Sequence, residues 1–340
     1  MRYLRYALFA LGLLVFVTVG GAFGGYVWLV RALDAPGPAA EPVTLVVPPG
    51  AGLARIADQL AGSHVVSGSL TFRLGARLEG KAGSLKAGEY QFPAGASMRD
   101  VLDQLVSGRV VIHSLTFPEG LTTRAILDLL RESDVLTGDI TLTPPEGALL
   151  PETFHVTRGE TRDSVLRRMG QARTEALDTL WKDRAPDLPF STPEQALVLA
   201  SIVEKETGMK GERPRVAAVF INRLRKGMPL QSDPTTIYGL SDGLGRLSRD
   251  LTRQDLQADH PWNTYVHAGL PPGPICNPGI ASIRAVLHPE NTRELYFVAD
   301  GTGGHAFAET LEEHNRNVRA WRRLRAEQPS PAPEASQPAP

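Results

Sequence analysis

The chain has 340 residues, 42% of them hydrophobic and 21% charged, with 36 Lys and Arg against 37 Asp and Glu. That is enough chain for two ordinary globular domains, and the near-zero net charge provides no basic field for a nucleic-acid partner. The one cysteine, Cys276, rules out a disulfide framework and a thiolate metal site.

From Ala7 to Val30 there is no charged residue. As a helix this stretch extends about 36 Å, more than the roughly 30 Å hydrocarbon core of a bilayer. It is also longer than the apolar region of about 7–15 residues in a cleaved signal peptide. We therefore expect a retained transmembrane anchor at residues 7–30. Arg2 and Arg5 precede it, whereas Asp34 offsets Arg31, so the positive-inside rule puts residues 1–6 in the cytoplasm and the rest beyond the membrane. Residues 31–42 read as a Pro/Ala linker and 327–340 as a disordered Pro/Ala-rich tail, since neither carries enough apolar surface to fold.

A spacing recurs three times after the linker: Pro48, Gly50, Ile56, Leu60; Pro93, Gly95, Val101, Leu105; and Pro118, Gly120, Ile126, Leu130. Each copy follows a short apolar or β-branched run, so the unit reads as a strand, a Pro-x-Gly turn and an amphipathic helix. These units predict a compact α+β module without a catalytic cluster, placed at 43–135. A helix-rich α+β domain at 136–326 follows.

In that second domain, Thr192-Pro193-Glu194-Gln195 is a capping box with proline at the first helical position, and Gly208 should stop the helix. Leu197, Ala200, Ser201 and Glu204 share one face at i, i+3, i+4, i+7, so Glu204 holds a position that the pattern reserves for the core. Burial and the negative end of the helix dipole both disfavour its ionised form there, as a general acid requires; the alternative is a surface glutamate on a frayed last turn. Glu206, two residues on, points elsewhere and cannot face the same bond. A second helix should run from Pro214 to Lys226, with Gly227 just beyond it.

Polar loops then supply the remaining candidates. Asp233 is the better second carboxylate, although Ser232-Asp233-Pro234 also reads as an ordinary cap. Tyr238, Trp262 and Tyr265 could stack on sugar rings. Asn222, Arg223, Asn263 and Asn277 offer amide and guanidinium donors. The candidate substrate-binding set is Glu206, Asn222, Arg223, Gln231, Asp233, Thr235, Tyr238, Asn263, Tyr265 and Asn277. Scattered histidines without metal-ligand spacing, and glycines without a phosphate-binding context, lead us to expect neither metal nor cofactor.

Several runs, taken together, resemble the endolytic murein transglycosylases, the MltG or YceG-like family: LASIVEKET (199–207), VFINRL (219–224), LQSDPTTIYGL (230–240), NTYVHAGLPPGPICNPG (263–279) and YFVADGTGGHAFAETLEEHN (296–315). The chain departs from the family pattern at Phe154, where tyrosine is commoner. The resemblance implies a single-pass protein of the bacterial inner (cytoplasmic) membrane with a LysM-like module and a periplasmic catalytic domain. It also implies peptidoglycan glycan strands as substrate and peptidoglycan synthases as partners. Such a lyase cuts between N-acetylmuramic acid and N-acetylglucosamine without water, leaving 1,6-anhydro ends. On this resemblance the catalytic glutamate maps onto Glu204, acting first as acid and then as base. The alternative is a non-catalytic peptidoglycan-binding scaffold for the synthases.

Overall fold

The computed structural model describes residues 2–327 and divides into two units, the chain up to His113 with His155–Glu160, and Ser114–Phe154 with the chain from Thr161 onward. The first begins with α1 (Arg2–Asp34), which is exposed along almost all its length and is long and apolar enough to cross a membrane. Its one buried residue is Leu33, which fills the space that a Cβ at Gly75 would need.

The core of this unit is built from β1 (Val43–Val47), α2 (Leu53–Gly62), α3 (Ser69–Leu78), β2 (Gly88–Phe92) and α4 (Met98–Ser107). The two strands pair antiparallel from Val43↔Phe92 to Val47↔Gly88. Alternation along them turns Leu45 and Val47, with Tyr90 and Phe92, to one face. Onto it pack Ile56 and Leu60 of α2, Phe72 of α3, and Val101 and Leu105 of α4.

The second unit takes in most of β3 (His113–Thr116), then α5 (Thr123–Glu132) and the start of β4 (Thr153–Val156), which pairs with β3. Phe154 sets its ring edge-on to Phe117, 6.2 Å between centroids. There follow α6 (Arg162–Lys182), α7 (Pro193–Glu206), α8 (Arg213–Arg225), α9 (Asp233–Leu240), a short 3-10 turn at Asp255–Gln257, and α10 (Ile280–Leu287). Last come the antiparallel hairpin β5 (Tyr296–Ala299) and β6 (His305–Ala308), and α11 (Leu311–Glu327). The apolar core is gathered around α7, whose residues Ala196–Val203 are all buried, with α8 and α10 against it. Of the expected tail at 327–340, Glu327 is instead the last residue of α11, and residues 328–340 lie outside the described residues.

The three spaced copies are three strand–turn–helix units. Their glycines Gly50, Gly95 and Gly120 all take left-handed φ, at 75°, 67° and 79°, which lets the chain turn from strand into helix without a Cβ penalty. Each helix buries its paired positions: Ile56 and Leu60, Val101 and Leu105, Ile126 and Leu130. The third copy, however, belongs to the second unit, so the division falls at His113 and not at 135. Its turn is tied there by backbone: Gly120 N donates to Asn277 O at 3.0 Å, and Asn277 N to Leu121 O at 2.9 Å. Arg162, opening α6, donates to the carbonyls of Leu130, Arg131 and Ser133 at the end of α5.

Candidate active site

Helix α7 starts as its cap requires. Thr192 accepts from Gln195 N, the Gln195 side chain accepts from Thr192 N, and Pro193 opens the helix. It stops at Glu206, with Thr207 as C-cap, so both glutamates lie in the last turn with different surroundings.

The Glu204 side chain is only 5% exposed, but it is not an isolated acid. One oxygen accepts from Arg213 Nη2 at 2.9 Å, and the other from the N–H of Gly279, the N-cap of α10, at 2.9 Å. The same Arg213 nitrogen reaches Glu119 at 3.2 Å. Glu204 is thus one half of an ion pair that ties α7 to α8 and α10, where the sequence pattern led us to expect a lone acid in an apolar setting. Burial on one helical face could not separate the two carboxylates, because α7 is buried around its whole circumference as far as Val203 and both glutamates are partly buried beyond it. What separates them is their partners.

Glu206 faces a cavity of about 200 Å³, lined also by Arg223, Gln231, Asp233, Tyr265 and Phe297. Burial pushes its carboxyl up to about 7 from an ordinary 4.5, the nearby Asp233 charge adds to the rise, and a 2.5 Å bond from Ser232 Oγ works against it. The last turn of a helix also disfavours a negative charge. Asp233 accepts from the Tyr265 hydroxyl at 2.6 Å, and Tyr265 is held well above the usual phenol value, first by burial and then by that bond. Burial pulls Arg223 downward; its Nε donates to Leu295 O at 2.7 Å, and its Nη1 to Leu230 O at 2.8 Å and to Gln231 Oε1 at 3.3 Å. Ser232 and Phe297 were not among the sequence candidates. Nor was Glu212, which fixes His305 through Nδ1 at 2.7 Å, beside Phe297.

Five of the sequence candidates, Glu206, Arg223, Gln231, Asp233 and Tyr265, therefore meet in one cavity, and five do not line it. Asn222 donates to the carbonyls of Thr292 and Glu294, anchoring the approach to β5. Thr235 is fully buried between Ser232 O and Thr264 Oγ1. Asn263, also fully buried, folds its own loop by donating to Ala258 O and accepting from Tyr265 N. Asn277 spends its amide on Glu146, Thr123, Leu121 and the N–H of Leu149. Tyr238 packs on Trp262, and its hydroxyl donates to Glu146. Buried amides whose bonding capacity is filled within the protein have nothing left for a ligand. A larger cavity of about 440 Å³ opens beside Lys205, but both carboxylates that line it, Asp128 and Glu132, are exposed, and it holds no desolvated acid like Glu206.

Chemically, the Glu206 cavity combines a carboxyl able to hold or release a proton near neutral pH with fixed polar groups around it, the combination expected of a single acid–base centre. A family model described as YceG-like matches residues 45–320. An endolytic murein transglycosylase of Bacillus subtilis (strain 168) is 38% identical over 174 residues, covering 51% of this chain and 47% of that protein. One from Streptococcus pneumoniae serotype 2 (strain D39) is 33% identical over 180 residues, covering 51% and 31%. The chain thus spans about half or less of the length of the curated relatives it matches. The crystal structure of a yceG-like protein from Listeria monocytogenes superposes with a TM-score of 0.52 at 29% identity, covering 81% of this chain and 98% of that one.

Proposed function

The chain belongs to the YceG-like family, and on that premise we propose that it is an endolytic peptidoglycan lytic transglycosylase whose acid and base is Glu206. It cleaves glycan strands between N-acetylmuramic acid and N-acetylglucosamine. The observation that carries this reading is a carboxyl pushed to about 7 in a cavity with Asp233, Tyr265 and Gln231. Protonated Glu206 gives its proton to the glycosidic oxygen as the C1–O bond breaks. The resulting carboxylate then removes the proton of the muramyl 6-hydroxyl as that oxygen closes onto C1. The proton returns to Glu206, no water is consumed, and one residue serves both steps. A value near 7 suits both roles, since neither form is far from its population at neutral pH. A non-catalytic scaffold has no use for such a group.

This assigns the acid to the second glutamate of the EKET run, with Glu204 as its structural neighbour. Product analysis by mass spectrometry of purified murein strands separates the two. Glu206→Gln should form no 1,6-anhydro ends while Glu204→Gln, where folded, still does. The reverse outcome returns the catalytic role to Glu204.

We propose further that α1 anchors the protein in the inner membrane with its N-terminus cytoplasmic, on the strength of Arg2 and Arg5. The chain after α1 then lies on the periplasmic side, and the strand–helix–helix–strand core of the first unit serves as a LysM-like module. Peptidoglycan synthases are the partners this placement favours.

A further inference from the structure

Resting on the glycan reading above, we propose that Gln231 and Asp233 select the N-acetyl group of the sugar seated beside Glu206. The Gln231 amide N–H donates to the acetamido carbonyl, and the unused carboxylate oxygen of Asp233 accepts the acetamido N–H.

The polarity of both groups is fixed by their neighbours. Arg223 Nη1 donates to the Gln231 amide oxygen at 3.3 Å. A guanidinium has no acceptor, so the oxygen of the amide must face it and the NH₂ must face away. That NH₂ makes no hydrogen bond among the described residues, and Gln231 lines the cavity. Its backbone is held at φ 53°, a left-handed conformation that is unfavourable for a non-glycine residue and persists only where the surroundings impose it. Here Gln231 N donates to Thr264 O at 3.0 Å, and Arg223 grips the carbonyls of Pro229 and Leu230. Asp233 is oriented by Tyr265, whose hydroxyl donates to Oδ1 at 2.6 Å; Oδ2 has no hydrogen-bond partner among the described residues.

One donor and one acceptor of set polarity therefore line the same cavity, on either side of Ser232, which binds Glu206. A sugar hydroxyl can donate or accept and needs no such fixed pair. An amide, with its carbonyl and N–H, does. The cavity, about 200 Å³, is smaller than the roughly 300–1,000 Å³ of drug-sized sites.

Two neutral oligosaccharides with the same β-1,4 linkage isolate the group: the tetramer of N-acetylglucosamine and that of glucose. Titration calorimetry of the full-length Glu206→Gln protein in detergent should find the acetylated tetramer bound about tenfold or more tightly, as expected when fixed polar groups lose their partner. Adding Asp233→Ala, or separately Gln231→Leu, should bring the two affinities within about threefold. An unchanged preference in both folded double variants, checked by their thermal midpoints, overturns the proposal. So does the absence of any preference in the single variant while the wild-type chain cuts murein. If neither tetramer binds and murein is left intact, the glycan reading falls and this inference with it.

Discussion

Glu206→Gln tests the electrostatics of the cavity without reference to any substrate. In the folded chain the carboxyl is pushed to about 7, and in the unfolded chain it returns to about 4.5. Between these values the native state keeps a proton that the unfolded state releases, so stability falls as pH rises across that window. At about 1.4 kcal/mol per pH unit the total loss is about 3 kcal/mol, complete just above pH 7 and absent below pH 4.5. Glutamine does not titrate, so the variant escapes this loss while all other groups behave alike in both proteins. Relative to wild type, the variant should therefore gain about 3 kcal/mol between pH 5 and pH 8, or about 6–12 °C in midpoint for a unit of this size. Tryptophan fluorescence of the full chain in detergent is a suitable probe, because three of the four tryptophans, Trp181, Trp262 and Trp321, lie in the second unit. Parallel stability curves for the two proteins across that pH range would refute the claim that Glu206 is the desolvated acid.

Glu204→Ala should act on stability and leave the chemistry per folded molecule intact. It strips Arg213, itself buried, of its closest counter-charge, at a cost of about 3 kcal/mol in urea unfolding, and an unchanged midpoint would mean the ion pair holds nothing together. Asn277→Ala leaves the buried N–H of Leu149 without its acceptor and withdraws a donor from Glu146, a loss of about 3 kcal/mol. Faster amide exchange at Leu149 is the specific readout, and undisturbed protection there would remove Asn277 from its structural role.

Local signals in the sequence located local structure. Thr192, Pro193 and Gln195 mark the start of α7, and Gly227 follows α8 with φ 63°, because caps are decided within a few residues. The recurring Pro-x-Gly spacing found three turns for the same reason. The candidate site was half legible. Loop residues with polar side chains were recognisable as a class, but whether such a side chain faces a cavity or the protein depends on distant segments. Asn277 is consumed by residues near 121–149, and Asn222 by residues near 292–294. The comparison of the two glutamates meets the same limit, since Arg213 on α8 and Gly279 at the N-cap of α10 contact Glu204 and no helical wheel of α7 contains them.

Helix α7 is pinned at both ends, by its cap at Thr192 and by two unlike carboxyls in its last turn. An α-helix advances about 100° per residue. Adding or removing one residue anywhere between cap and carboxyls would swing Glu204 away from Arg213 and Gly279 and Glu206 away from Ser232 in the same movement. The stretch from 192 to 206 is thus constrained as a ruler, in its count of residues as well as in the buried letters that it carries.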